Sequence, residues 1–177
     1  MIRNFFLHLH TVNTHRFLVC RFCFMMGLYR QGLLHDLSKY SPVEFWPGVR
    51  YFQGNRSPID AERKEKGYSL GWLHHKGHNR HHWQYWMDQK NGNQVYFIDP
   101  PIRYVKEMVA DRIAACMVYQ KENYHPSSAL EFLHKSRETP LIPQKTREKL
   151  EEYLTIVAEN DLRTALHIIR GLDKDLD

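Results

Sequence analysis

At 177 residues the chain is long enough for one domain with a full core and too short for two comfortable ones. Its 42% hydrophobic and 25% charged residues are ordinary for a soluble globular protein, and three cysteines cannot form an even disulfide framework, which predicts a reducing, cytoplasmic setting. A formal charge of +5 tilts toward an anionic partner such as a phosphorylated metabolite, nucleotide or nucleic acid, and twelve histidines are the outstanding compositional feature.

In chain order the pattern reads as helix after helix. Asn13 or Thr14 could cap a first helix ending near Gly27, with His15 on the same face as Leu18, Val19, Phe22 and Met26. The apolar run Phe17 to Tyr29 is too short for a membrane span, is interrupted by Arg21 and lacks a small-residue cleavage site, so a buried helix is expected. Cys20 and Cys23 sit in that run as small core side chains, in preference to a zinc or redox pair. A second helix is expected from Gly32 to about Lys39, carrying the adjacent pair His35-Asp36. An imidazole and a carboxylate side by side are both good donors to zinc, iron, manganese or cobalt.

Ser41, Pro42 and Glu44 have the spacing of a capping box with proline at the first helical position, which starts a third helix. From Phe52 to Lys66 the chain turns polar: a surface loop leads into a charged helical segment whose charges form a solvated face, with a mobile lid as the minority reading. Trp72 to Trp86 then holds five histidines in nine residues, His74, His75, His78, His81 and His82. One continuous helix would put them on one face; Gly77 and Asn79 favour a helix ending near His75 and a new one from about His81. Metal ligation is preferred over a structural histidine cluster packed among the tryptophans.

A hairpin can form at Asn91-Gly92. Pro100-Pro101 opens a helix through Ile102 to about Gln120, on which Asp111 is the charged member of a stripe with Tyr104, Met108, Ala115 and Val118. A carboxylate in such a stripe needs a cation, and the histidines point to a metal over an Arg or Lys. The remainder reads as scaffold: a short helix from Ser127-Ser128, a helix from about Gln144 to Glu159, and a last helix capped by Asn160 or Asp161 and ending at Gly171. The fold class expected is all-α, one domain over 1–177 with a core at about 13–120 and C-terminal helices 127–177 packed on it.

His15, then His35-Asp36, then the histidine cluster, then Asp111 is an order that resembles the HD-domain superfamily of metal-dependent phosphohydrolases. HDLSKYSPVEFW and LHHKGHNRHHWQYW resemble, more narrowly, a small bacterial and phage subfamily within it, over roughly residues 13 to 120. The resemblance implies a compact HD-like fold in which His15, His35, Asp36 and Asp111 hold a first divalent transition metal and Asp36 bridges to a second. His74 or His75, with His81 or His82, would complete the second site, His82 being preferred over His81. It further implies hydrolysis of a phosphate ester, a nucleotide or small phosphorylated metabolite, by metal-activated water. Lys39 and Asp36 would act at the reaction centre, and Arg80 and Arg16 would neutralise the phosphate. Where the superfamily often has glycine before that lysine, this chain has Ser38. Two alternatives follow from the same residues: an HD-type mixed-valent di-iron oxygenase, and a non-catalytic protein that a metal stabilises. Homo-oligomerisation is compatible with the sequence, and nucleic-acid binding ranks low because no basic helix carries clustered stacking aromatics.

Overall fold

The computed structural model describes residues 1–90 and 94–173. The first helix, α1, spans Ile2–Met25 and contains neither glycine nor proline. Its buried residues His8, Val12, His15, Val19, Phe22 and Cys23 recur at helical spacing, so one stripe carries two histidines among apolar side chains. The cap expected at Asn13 or Thr14 is therefore mid-helix, because the stripe continues upstream of it; the Asn13 side chain instead accepts from the Tyr40 hydroxyl at 2.6 Å. The chain reverses at Gly27, whose φ of 80° suits glycine.

Helix α2, Tyr29–Leu34, lies against α1. At Gly32 a Cβ would meet the Cys23 Cβ at 3.0 Å and the Cys20 carbonyl at 3.1 Å, so a side-chain-free residue permits the close approach. The helix expected to run to Lys39 breaks at the His-Asp pair. His35 leaves the helical conformation with φ −50° and ψ 126°, Asp36 is left-handed with φ 54° and ψ 25°, and Leu37–Tyr40 forms a separate 3-10 turn. The Arg16 guanidinium explains part of the break. Its Nε donates to the His35 carbonyl at 2.8 Å and one terminal nitrogen to the Leu33 carbonyl at 3.3 Å, satisfying acceptors that a helix end leaves free.

Helix α3, Pro42–Arg50, starts where expected, with Pro42 in its first turn, but Ser41 makes no side-chain capping bond and Glu44 turns its carboxylate elsewhere. Helix α4, Pro58–Lys66, is the charged segment. Most of its charges face outward; Glu62 is buried, accepting from Ser69 Oγ at 2.5 Å and Lys66 Nζ at 3.0 Å. Ser69 also accepts from the Trp72 amide at 2.9 Å and so caps α5, Leu70–His78. That helix continues three residues past the expected end at His75. Asn79 closes it by donating from Nδ2 to the His75 carbonyl at 2.8 Å, and the chain then turns into a 3-10 segment, Trp83–Trp86, in place of the α-helix expected from His81.

Strands β1, Met87–Lys90, and β2, Gln94–Phe97, pair antiparallel from Met87 opposite Phe97 to Lys90 opposite Gln94. The Asn91-Gly92 turn itself lies outside the described residues. Helix α6, Ile102–Gln120, follows the two prolines as expected, and α7, Ser128–Lys135, α8, Gln144–Glu159, and α9, Leu162–Gly171, complete the chain. Asp161 caps α9 by accepting from the Thr164 amide at 3.1 Å. One apolar cluster joins Val19 and Phe22 of α1, Val109 and Ile113 of α6, Leu133 of α7, Leu150 and Leu154 of α8, and Leu166 of α9. The protein is thus all-α apart from one small hairpin. No helix among the described residues is long and apolar enough to cross a membrane.

Candidate metal centre

Helices α1 and α6 pack along their lengths, and the turn after α2 and the end of α5 close over one part of that contact. This brings His15, the His35-Asp36 pair, His75, His81, His82 and Asp111 together. Asp36 is at the middle and fully buried. Its Oδ2 lies 3.5 Å from His15 Nε2 and 3.3 Å from His35 Nε2, while Oδ1 lies 3.4 Å from His75 Nε2 and 3.4 Å from His81 Nε2. Asp111 Oδ1 completes the first side, 3.0 Å from His15 Nε2 and 3.5 Å from His35 Nε2. Two ligand sets result, His15, His35, Asp36 and Asp111 on one side and Asp36, His75, His81 and His82 on the other, each with donor atoms within 4.8 Å of one another.

The polar atoms of the cluster are unusually poor in partners. Both Asp36 oxygens and the Nε2 atoms of His81 and His82 are buried without a hydrogen bond, a costly arrangement for a carboxylate and two imidazoles. A divalent cation on each side of Asp36 would satisfy all four atoms, and the donor set of imidazole and carboxylate suits zinc, iron, manganese or cobalt. The residues present therefore fit two ions.

Two further carboxylates orient the imidazoles. His35 Nδ1 donates to Glu107 Oε1 at 2.8 Å, and His81 Nδ1 lies 3.2 Å from the same oxygen. His75 Nδ1 donates to Glu44 Oε2 at 2.7 Å. Each ring is thereby turned with Nε2 toward Asp36, the outer carboxylate support that metal-binding histidines commonly have. The grouping of His35, His81 and Glu107 needs no third ion, because these contacts occupy it. Ser38 ties the two chain segments together by accepting from Asn79 Nδ2 at 2.7 Å, which gives its hydroxyl a role in the site.

Electrostatics follow from this packing. Burial opposes ionisation of Asp36, yet His35, Lys39 and His75 outweigh it and hold the carboxyl well below its usual range. Burial likewise opposes protonation of His35, and Asp36, Asp111 and Glu107 more than reverse it, raising the pKa well above an ordinary imidazole. His82 differs: burial, helped by His81 and His75, pushes its pKa well below the usual value, which favours a neutral ring, and its Nε2 makes no hydrogen bond. Lys39 Nζ sits 2.7 Å from Asp36 Oδ2 as an ion pair outside hydrogen-bond geometry. It lines a cavity of about 200 Å³ that also touches His15, His75, His82 and Asp111.

Several expected site residues lie elsewhere. His74 joins neither ligand set: successive helical residues diverge by about 100°, and its Nδ1 donates to Glu44 Oε1 at 2.6 Å while its ring stacks on His78. Arg16 is spent on the α2 carbonyls and on the Tyr40 hydroxyl at 3.0 Å, so it shapes the His-Asp turn and does not line the cavity. Arg80 donates to the Tyr104 hydroxyl at 3.1 Å in a different cleft, behind His35, His81 and Glu107. His81 is in the cluster together with His82 instead of giving way to it. Glu44 and Glu107 were not anticipated. Glu107 was readable in principle, one helical turn before Asp111 and on the same face; Glu44 was hidden by its capping-box spacing.

Fold and site together define an all-α protein built around a buried histidine and carboxylate cluster of metal-ligating composition. A family model described as a family of unknown function, DUF5662, matches residues 4–156, a span containing every member of the cluster, and the chain belongs to that family. No curated protein and no solved structure matches it.

Proposed function

We propose that the protein is a metal-dependent phosphohydrolase holding two divalent transition-metal ions and cleaving a phosphate ester, a nucleotide or small phosphorylated metabolite. The observation that carries this reading is Asp36, whose two oxygens, buried without a hydrogen bond, face separate groups of histidine Nε2 atoms. The order of His15, His35-Asp36 and Asp111, similar to that of HD-domain phosphohydrolases, supports it.

His15, His35 and Asp111 would hold one ion, His75, His81 and His82 the other, and Asp36 would bridge them. When bound, such ions supply Lewis-acid activation of a water and neutralisation of charge on the phosphoryl oxygens. Glu107 and Glu44 keep the imidazoles aimed, so the site is organised before substrate arrives. Lys39 lines the adjoining cavity and stays cationic, because Asp36 and other nearby anions more than offset its burial. It would receive a non-bridging phosphoryl oxygen and hold it toward Asp36.

Elemental analysis of untagged protein tests the reading directly: about two equivalents of metal per chain are expected, with phosphate released from simple phosphomonoesters and both properties lost in Asp36→Asn. A folded protein that takes up no metal would sink it. Two irons with oxygen consumption and no phosphate release would assign the centre to oxygenase chemistry instead, and metal uptake with no turnover of any kind would make it structural.

A further inference from the structure

Arg112 is a cation that the metal centre leaves unused. It follows Asp111 on α6, so its side chain leaves the helix about 100° around the axis from that ligand. It faces a second chamber of about 420 Å³. This chamber adjoins the one beside Lys39, the two sharing Ser57, Trp72, His82, Asp111, Ala115 and Tyr119 as walls.

The guanidinium makes no hydrogen bond or ion pair among the described residues; Asp111 and Glu138 act on it only at longer range. The two other carboxylates at the chamber mouth are directed to a different cation, since Asp60 and Glu138 lie 3.6 Å and 3.9 Å from Arg63. Arg112 is half-buried, and a guanidinium stays protonated in proteins. A half-buried positive charge facing a cavity with no carboxylate in contact is poorly compensated, and an anionic ligand would answer it. Between this charge and Lys39 the shared walls offer Trp72, Ala115 and Tyr119 as apolar and aromatic lining, beside Ser57, His82 and Asp111.

We propose that Arg112 is a specificity residue that receives a second anionic group, so that the favoured substrates are phosphate esters bearing a carboxylate or another phosphate across an apolar spacer. The proposal rests on the phosphohydrolase reading, with the phosphate ester at Lys39 and the ions. It would make the two adjoining cavities one substrate site with an anion-binding position at each end.

Non-hydrolysable phosphonates test it by calorimetry on manganese-loaded protein, independently of turnover. Methylphosphonate probes the first position alone; ω-phosphonoalkanoates and α,ω-bisphosphonates of increasing methylene count probe both. One length in one series is expected to bind at least about tenfold tighter than methylphosphonate, and the winning series tells carboxylate from phosphate. Arg112→Gln should abolish that gain and leave methylphosphonate binding unchanged, and Arg112→Lys should retain part of it. The thermal midpoint of Arg112→Gln should equal or exceed that of the parent, since no partner is lost. The proposal is overturned if no length gains over methylphosphonate, or if the gain survives Arg112→Gln. A fall in thermal midpoint together with loss of methylphosphonate binding would make Arg112 structural and overturn it too. If methylphosphonate fails to bind the parent protein at all, the phosphohydrolase reading itself fails and takes this inference with it.

Discussion

Asp36 concentrates the chemistry of the site in one side chain and one backbone conformation. A left-handed residue other than glycine is disfavoured, and aspartate is among the few side chains that tolerate it. That conformation turns the carboxylate inward between His15 and His35 on one side and His75 and His81 on the other. At the same scale Glu107 acts on two rings with one oxygen. Glu107→Gln keeps the shape but offers a weaker, neutral acceptor, so metal affinity should fall about 10- to 100-fold, read by competition with a chromogenic chelator while helical content is retained. Unchanged affinity would show that His35 and His81 are aimed by something else. The candidate ligands are legible as residues, because histidine and aspartate at helical spacing on apolar stripes need partners. Which member of an adjacent pair such as His74-His75 enters the cluster is not, since it depends on the rotation of α5 against α3.

The elements show where local patterning suffices. Helix α6, with prolines before it, and α8 and α9, with their apolar stripes, lie close to their expected bounds. The break at His35-Asp36 and the end of α5 are different, because distant partners set them: Arg16 from α1 takes the carbonyls at the first, and Asn79 reaches Ser38 and the His75 carbonyl at the second. Gly32 is the corresponding constraint between α1 and α2. A methyl group there would press on Cys23 and the Cys20 backbone. Gly32→Ala should therefore destabilise by about 1–3 kcal/mol in chemical denaturation, and weaken metal binding by displacing the pair that follows. A neutral or stabilising outcome would mean that α2 can slide without cost.

For the whole molecule the packed charges make stability depend on pH, and would make the proposed metal binding depend on it in the opposite way above neutrality. The depressed carboxyls of Asp36, Asp111 and Glu107 contribute stability that is present above their unfolded pKa of about 4 and is lost as the pH falls through their folded values. The raised His35 contributes stability that is full below about pH 6.5 and is lost as the pH rises through its folded value. The depressed His82 and His8 act the other way, losing stability as the pH falls below about 6.5, so metal-free protein should be most stable close to pH 6.5. Metal must displace the His35 proton, so affinity should climb with pH across neutrality and proton release should accompany binding. Denaturation of chelator-treated protein over a pH series, with metal titrations in buffers of different ionisation enthalpy, checks both. A metal affinity that is flat from acid to neutral pH would count against ligation by His35.

By itself the sequence determined the helical class, most of the apolar stripes that become the core, and the set of histidines and aspartates worth considering, because each depends on residue type and spacing within a single segment. Only the tertiary structure decided that Asp36 faces two histidine groups, that Glu44 and Glu107 brace them, that His81 belongs and His74 does not, and that Arg16 and Arg80 point away from the cavity beside Lys39. Those outcomes depend on which faces of separate helices meet and how each is rotated about its own axis. Distances across packed helices, unlike periodicity along one, are not written locally in the chain.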